Sequence, residues 1–207
     1  MPRTRIKICG ITREEDLNSA VLHGADALGF VFYPPSVRCL DVALAARLVR
    51  LVPPFVTPVG LFVNEDAAVV HRVLEAVSLQ MLQFHGEEDE AYCAQFGLPY
   101  IKAARVKPGL DLLEYARSFL GARGLLLDAH VEGYGGGGKT FDWRLIPKHL
   151  PLPLILSGGL HAGNIAAALT AIRPWAVDVS SGVEAAGGIK DDKKIAEFIA
   201  GVRSADV

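Results

Sequence analysis

Ala176-Val177-Asp178-Val179-Ser180-Ser181-Gly182 is the stretch on which the reading of the fold turns. In an extended strand, successive side chains alternate between faces, so Val177 and Val179 share one face while Asp178 and Ser180 share the other. The same habit recurs upstream. Ile6 and Ile8 oppose Arg5, Lys7 and Cys9; Leu82 and Phe84 oppose Gln83 and His85; Leu125 and Leu127 oppose Asp128. A parallel sheet covered by helices on both faces is apolar on both parities. Here one parity is apolar and the other turns polar towards the C-terminal end of each strand. A closed barrel accounts for this, with apolar side chains facing a helix ring and polar ones lining the top of the interior, where barrel enzymes place their chemistry.

The rest of the chain keeps step. Strands are predicted near Arg5–Cys9, Ala27–Phe32, Pro58–Val63, Leu79–His85, Tyr100–Val106, Gly124–Asp128, Leu154–Ser157 and Ala176–Ser180. Helical patterns follow near Arg13–His23, Val42–Leu51, Asp66–Ala76, Glu88–Phe96, Leu110–Phe119, Asp142–Lys148, Ala162–Ile172 and Asp192–Val202. Eight strand–helix units are what a (β/α)8 TIM barrel requires, and 207 residues make it a compact one beside the usual length of about 250. No linker divides the chain, so residues 1–207 are read as a single α/β domain.

Composition narrows the function. With 51% apolar and 21% charged residues the chain can build a core without a metal or disulfide staple. A net charge of −2 with no basic block argues against nucleic acid as a partner. The longest apolar stretch, Leu51–Val63, is too short for a membrane span and holds three prolines. The N-terminal residues carry basic side chains but no apolar signal region, which predicts a cytoplasmic protein. Cys9, Cys39 and Cys93 are odd in number and widely spaced, a poor pattern for disulfides or zinc.

Several polar residues fall at the predicted barrel mouth. Ser157-Gly158-Gly159 and Ser180-Ser181-Gly182 directly follow the last two strands, where barrels often bind phosphate through backbone N–H groups; ordinary tight turns are the plainer alternative. Asp128 ends a strand of three leucines, and partial burial favours the protonated carboxyl that a general acid needs, although a helix cap or loop ion pair fits it equally when it is taken alone. Cys9 ends the first strand on its polar face, as a base or nucleophile if nearby cations lower its pKa, or as a buried filler. Cys93, inside a helical pattern, reads as filler. His85 and Gln83 belong to the same mouth or to the structure beneath it. Gly133–Thr140 spells a P-loop letter for letter, which raises a nucleotide-binding alternative. Pro147 stops the helix such a loop should open, and four consecutive glycines suit a lid over the mouth better.

Together these residues resemble the phosphoribosylanthranilate isomerase family, a TIM-barrel family of tryptophan biosynthesis. The resemblance runs through Lys7–Thr12, Gly29–Phe32, Pro34–Arg38, Gly60–Asn64, Gln83–Gly86, Leu125–Asp128, Gly138–Trp143, Leu156–Leu160, Asn164 and Asp178–Glu184. The chain departs from the family pattern at Val37 and Cys39, beside the second-loop arginine, and at Gly137 in the glycine-rich lid. The resemblance implies an Amadori rearrangement, with Cys9 as general base, Asp128 as general acid and Arg38 on the anthranilate carboxylate. It adds His85, Gly158, Gly159, Asp178, Ser180, Ser181 and Gly182 to the substrate-binding set. No metal or organic cofactor is implied, because the adjacent imine serves as the electron sink. The implied partner is a small-molecule substrate, with no nucleic acid or membrane, and the chain is expected as a monomer or a homodimer using exposed apolar residues such as Phe55 or Phe62. Rival phosphate-binding barrel isomerases fit less well. An epimerase wants metal-binding histidines at the mouth, and a histidine-pathway isomerase wants aspartates at strands one and five, where this chain has Cys9 and Lys102.

Overall fold

Aspartates set most of the helix starts. In the computed structural model, which describes residues 3–107, 109–129 and 141–206, the carboxylates of Asp41, Asp66, Asp89, Asp111 and Asp191 each accept a backbone N–H from the first turn of the helix that follows. Such caps are worth about 1 kcal/mol apiece. The helices are α1 (Glu14–His23), α2 (Val42–Val49), α3 (Ala67–Ala76), α4 (Glu90–Ala94), α5 (Leu112–Arg117), α6 (Ile165–Ile172) and α7 (Asp192–Ala205). Between them run β1 (Arg5–Cys9), β2 (Ala27–Val31), β3 (Thr57–Phe62), β4 (Met81–Phe84), β5 (Tyr100–Val106), β6 (Leu125–Ala129), β7 (Leu154–Leu156) and β8 (Ala176–Val179).

These eight strands are parallel and close into a barrel in sequence order, with β8 returning to β1. At that closing seam Lys7 lies directly opposite Asp178, and on the other side of β1 Cys9 lies opposite Gly29. The parity argument holds. Ile6, Ile8, Leu82, Phe84, Leu125, Leu127, Val177 and Val179 are buried in the layer between barrel and helices, where each large apolar side chain contributes about 1.5–3 kcal/mol. The opposite parity fills the interior in two tiers. Ile101, Ala103, Leu126, Ile155 and Ala176 form one cluster, while Cys9, Val31, Leu61 and Val63 form another nearer the strand ends.

Three expectations need correction. The helix expected over Asp142–Lys148 is a single 3-10 turn, Trp143–Leu145, because Pro147 cannot continue it. The fourth helix starts at Glu90 rather than Glu88. Glu88 instead turns inward, accepting the N–H groups of Asn64 and Gly86 and pairing with Lys102 at 2.9 Å. Lys102, the residue on the fifth strand where the rival isomerase wants an aspartate, has the outward parity and is fully buried beneath the helix layer. Phe62 is likewise fully buried and stacked on Phe32, whereas Phe55 is fully exposed, so of the two only Phe55 is available to a contact between copies.

One element was not expected. After β8 and a 3-10 turn (Ser181–Val183) the chain forms a small antiparallel hairpin, β9 (Glu184–Ala186) and β10 (Ile189–Lys190), before α7. Among the described residues, no helix is long and apolar enough to cross a membrane. The P-loop-like segment Gly133–Thr140, with Gly137, lies outside the described residues.

Candidate active site

The thiol of Cys9 stands at the C-terminal end of β1, only 5% exposed. Two residues earlier on the same face, the buried Lys7 donates from Nζ to Asp178 Oδ1 at 2.7 Å. Both Cys9 and Lys7 reach over Gly29: a Cβ there would lie 2.7 Å from Sγ and 3.1 Å from Nζ, so no other residue leaves them room. Burial pushes the Cys9 thiol above its ordinary 9.0, and the neighbouring Lys7 ammonium pulls it back without reversing the shift. Burial also opposes the charge on Lys7, but Asp178 and Cys9 outweigh it and the ammonium is held above its ordinary range. The cation expected beside Cys9 is therefore present, but desolvation dominates. A difference titration of thiolate absorbance between wild type and Cys9→Ala should give a midpoint above 9.0. Lys7→Met should move it further up. A midpoint below the ordinary value would mean that the cation wins over burial.

Asp128, near the end of β6, is held from three sides. Its Oδ1 accepts the Ala129 N–H at 2.9 Å, and its Oδ2 lies 3.1 Å from Nε2 of the buried His85. Gly158 backs it closely, since a Cβ there would sit 3.0 Å from Oδ1. Behind His85, Gln83 Nε2 lies 2.9 Å from Nδ1, and Gln83 Oε1 is buried without a partner. With Gln83 donating, His85 carries its proton on Nε2 and donates to an ionised Asp128. Turning the amide by half a rotation reverses the chain of donors: Oε1 accepts from Nδ1–H, and His85 Nε2 accepts from a protonated Asp128. The relay is compatible with Asp128 in either protonation state.

Arg38, on the loop between β2 and α2, reaches back over the mouth. Its stem passes so close to Gly10 that a Cβ there would collide with Arg38 Cδ, and that same Cβ would lie 3.2 Å from Ser180 Oγ. The guanidinium meets Glu184 of β9 through Nε and Nη2, both at 2.7 Å. Lys190 of β10 donates to the same carboxylate at 2.9 Å and to the Ser180 carbonyl at 3.1 Å. Glu184 is held ionised against its burial by these two cations.

The two turns singled out for anion binding lie against each other. Gly158 and Gly159 both have positive φ (83° and 63°), and a Cβ on Gly182 would run into the carbonyl oxygen of Leu160. Ser181 and Gly182 open the 3-10 turn, so their N–H groups have no partner within it. Arg38, Asp178 and Ser180 thus cluster around Cys9, while His85 and Gly158 flank Asp128. Asp178 is engaged by Lys7 and, at 3.5 Å, by Ser157 Oγ. Sequence reasoning missed Lys7, Glu184 and Lys190. Lys7 was visible in the strand parity, whereas the charges on the hairpin gave no periodic signal.

The model of the N-(5′-phosphoribosyl)anthranilate isomerase family matches residues 6–201. A relative of that name from Dechloromonas aromatica is 64% identical over 204 residues, covering 99% of this chain and 98% of its own. The crystal structure of phosphoribosyl anthranilate isomerase from Thermotoga maritima superposes with a TM-score of 0.88 at 44% identity, over 97% of this chain and 99% of that one. Another structure of such an isomerase, in complex with reduced 1-(o-carboxyphenylamino)-1-deoxyribulose 5-phosphate, has a TM-score of 0.85 at 41% identity, with the same coverage of both chains.

Proposed function

Because this chain belongs to the phosphoribosylanthranilate isomerase family, we propose that Cys9 and Asp128 are the general base and general acid of its reaction. The enzyme converts N-(5′-phosphoribosyl)anthranilate, an aldosylamine, into the aminoketose 1-(2-carboxyphenylamino)-1-deoxyribulose 5-phosphate, a step of tryptophan biosynthesis. Asp128 gives its proton to the furanose ring oxygen, the C1′–O bond breaks, and the nitrogen lone pair closes a Schiff base. Cys9, as thiolate, then removes the C2′ proton. The electron pair moves into the imine to give an enolamine, which tautomerises to the ketone. A buried thiolate of raised pKa is a strong base, at the cost of a small resting population.

The observation that carries this reading is that Cys9 and Asp128 sit at the mouth ends of β1 and β6, each flanked by groups that manage its proton: Lys7 beside the thiol and His85 on the carboxylate. Arg38 suits the anthranilate carboxylate through a planar fork. The amides of Gly158 and Gly159 on one turn and Ser180, Ser181 and Gly182 on the other suit the phosphate, and His85 and Asp178 complete the lining. A cytoplasmic place of work fits a chain whose three cysteines are all unpaired. Adding the protein to fluorescent phosphoribosylanthranilate should extinguish the substrate signal. An unchanged signal would overturn the reading.

A further inference from the structure

The hairpin β9–β10 has no place in the chemistry above, yet it touches the residue assigned to the substrate carboxylate. Glu184 takes the Nε–Nη2 side of the Arg38 guanidinium through two bonds of 2.7 Å, one to each oxygen. That geometry uses two of the five N–H donors and leaves the end-on Nη1–Nη2 edge, which is itself a fork matched to a carboxylate. Glu184 is fixed in turn. Lys190 Nζ holds its Oε1 at 2.9 Å, and Lys194 Nζ of α7 holds its main-chain carbonyl at 2.7 Å. The side chains of Arg38 and Glu184 are 13% and 6% exposed, so the pair is set in the wall of the mouth rather than waving in solvent. Charge points the same way: Arg38 and Lys190 are two cations around one carboxylate, leaving one positive charge for an incoming anion.

We propose that Glu184 is a positioning residue for recognition of the aromatic carboxylate, fixing the plane of Arg38 and presenting its free edge to the ligand. The inference rests on the assignment of Arg38 to that carboxylate. Without Glu184 the long arginine must give up rotamer freedom on binding, and the carboxylate fork forms at the expense of that entropy. The hairpin thereby connects α7 and the turn after β8 to specificity for the anthranilate half of the substrate.

The test is a pair of ligands: reduced 1-(o-carboxyphenylamino)-1-deoxyribulose 5-phosphate and the same compound with a plain phenyl ring. Their Kd values are measured by calorimetry on wild type, Glu184→Gln and Arg38→Ala. Glu184→Gln should weaken the carboxylate ligand by about tenfold, the loss expected from one compromised charge-assisted pair, and the phenyl ligand by no more than about twofold. Arg38→Ala should show the same selectivity, more strongly. Equal weakening of both ligands in Glu184→Gln would reduce Glu184 to a structural role and overturn the proposal. So would an unchanged carboxylate affinity in Glu184→Gln beside a selective loss in Arg38→Ala. Loss of selectivity in neither variant would instead remove Arg38 from the carboxylate, and the positioning role with it. If Glu184→Gln does not fold, Glu184→Asp retains the charge but pulls the fork apart, and the same selective loss is expected.

Discussion

Cys9→Ala is expected to fold normally and to lose about 10²–10⁴ in kcat, the range for one general-base proton transfer, or about 3–5 kcal/mol of barrier. The substitution removes a single sulfur from a small cluster with Val31, Leu61 and Val63, so its thermal midpoint should stay within a few degrees of wild type. Cys9→Ser should be comparably slow, because a hydroxyl in the same buried position is far harder to ionise than a thiol. Turnover near the wild-type rate in Cys9→Ala would take the base away from β1. The variant should still bind the reduced product analogue, since Arg38 and the paired turns are untouched.

Asp128→Asn should cost at least a hundredfold in kcat, and this is the sharper variant than alanine. An amide keeps the volume of the side chain and leaves an oxygen able to accept the Ala129 N–H, but it has no proton of suitable acidity for the ring oxygen. Asp128→Ala adds a second defect by leaving the buried His85 without its partner at Nε2, so it should be less stable as well as inactive. The comparison separates chemistry from packing. If Asn restored most of the activity lost in Ala, Asp128 would be a hydrogen-bond acceptor and not the acid.

Much of this was legible from the residues. Strand parity is a strict period, so a run such as Ile6-Lys7-Ile8-Cys9 fixes which side chains face the helices and which the interior. That was enough for the barrel and for the mouth positions of Cys9, His85 and Asp128. What escaped has a physical reason in each case. The 3-10 turn at Trp143–Leu145 shows how little a short helical pattern weighs against a proline two residues beyond it. Lysine is seldom buried, and nothing in the sequence around Lys102 announced that it would be. Glu88, released from the start of α4, supplies the partner that allows it. Phe62 gave no sign that it would be stacked on Phe32, since burial in a barrel depends on which helix covers the strand. The pairing of Arg38 with Glu184 joins segments 146 residues apart, and nothing local in either announces the other.

The opposition of Lys7 and Asp178 across the closing seam has a consequence for assembly. Sliding β1 by one residue against β8 would turn Lys7 and Cys9 out among the helices and drive Ile6 and Ile8 into the interior. It would also strand a buried ammonium and a buried carboxylate apart, each without its counter-ion, a penalty of several kcal/mol. Misregistered closure is thus selected against by the same two charges that sit below the thiol. A chain that has zipped its last seam has, in that act, checked the alignment of the thiol proposed as its base.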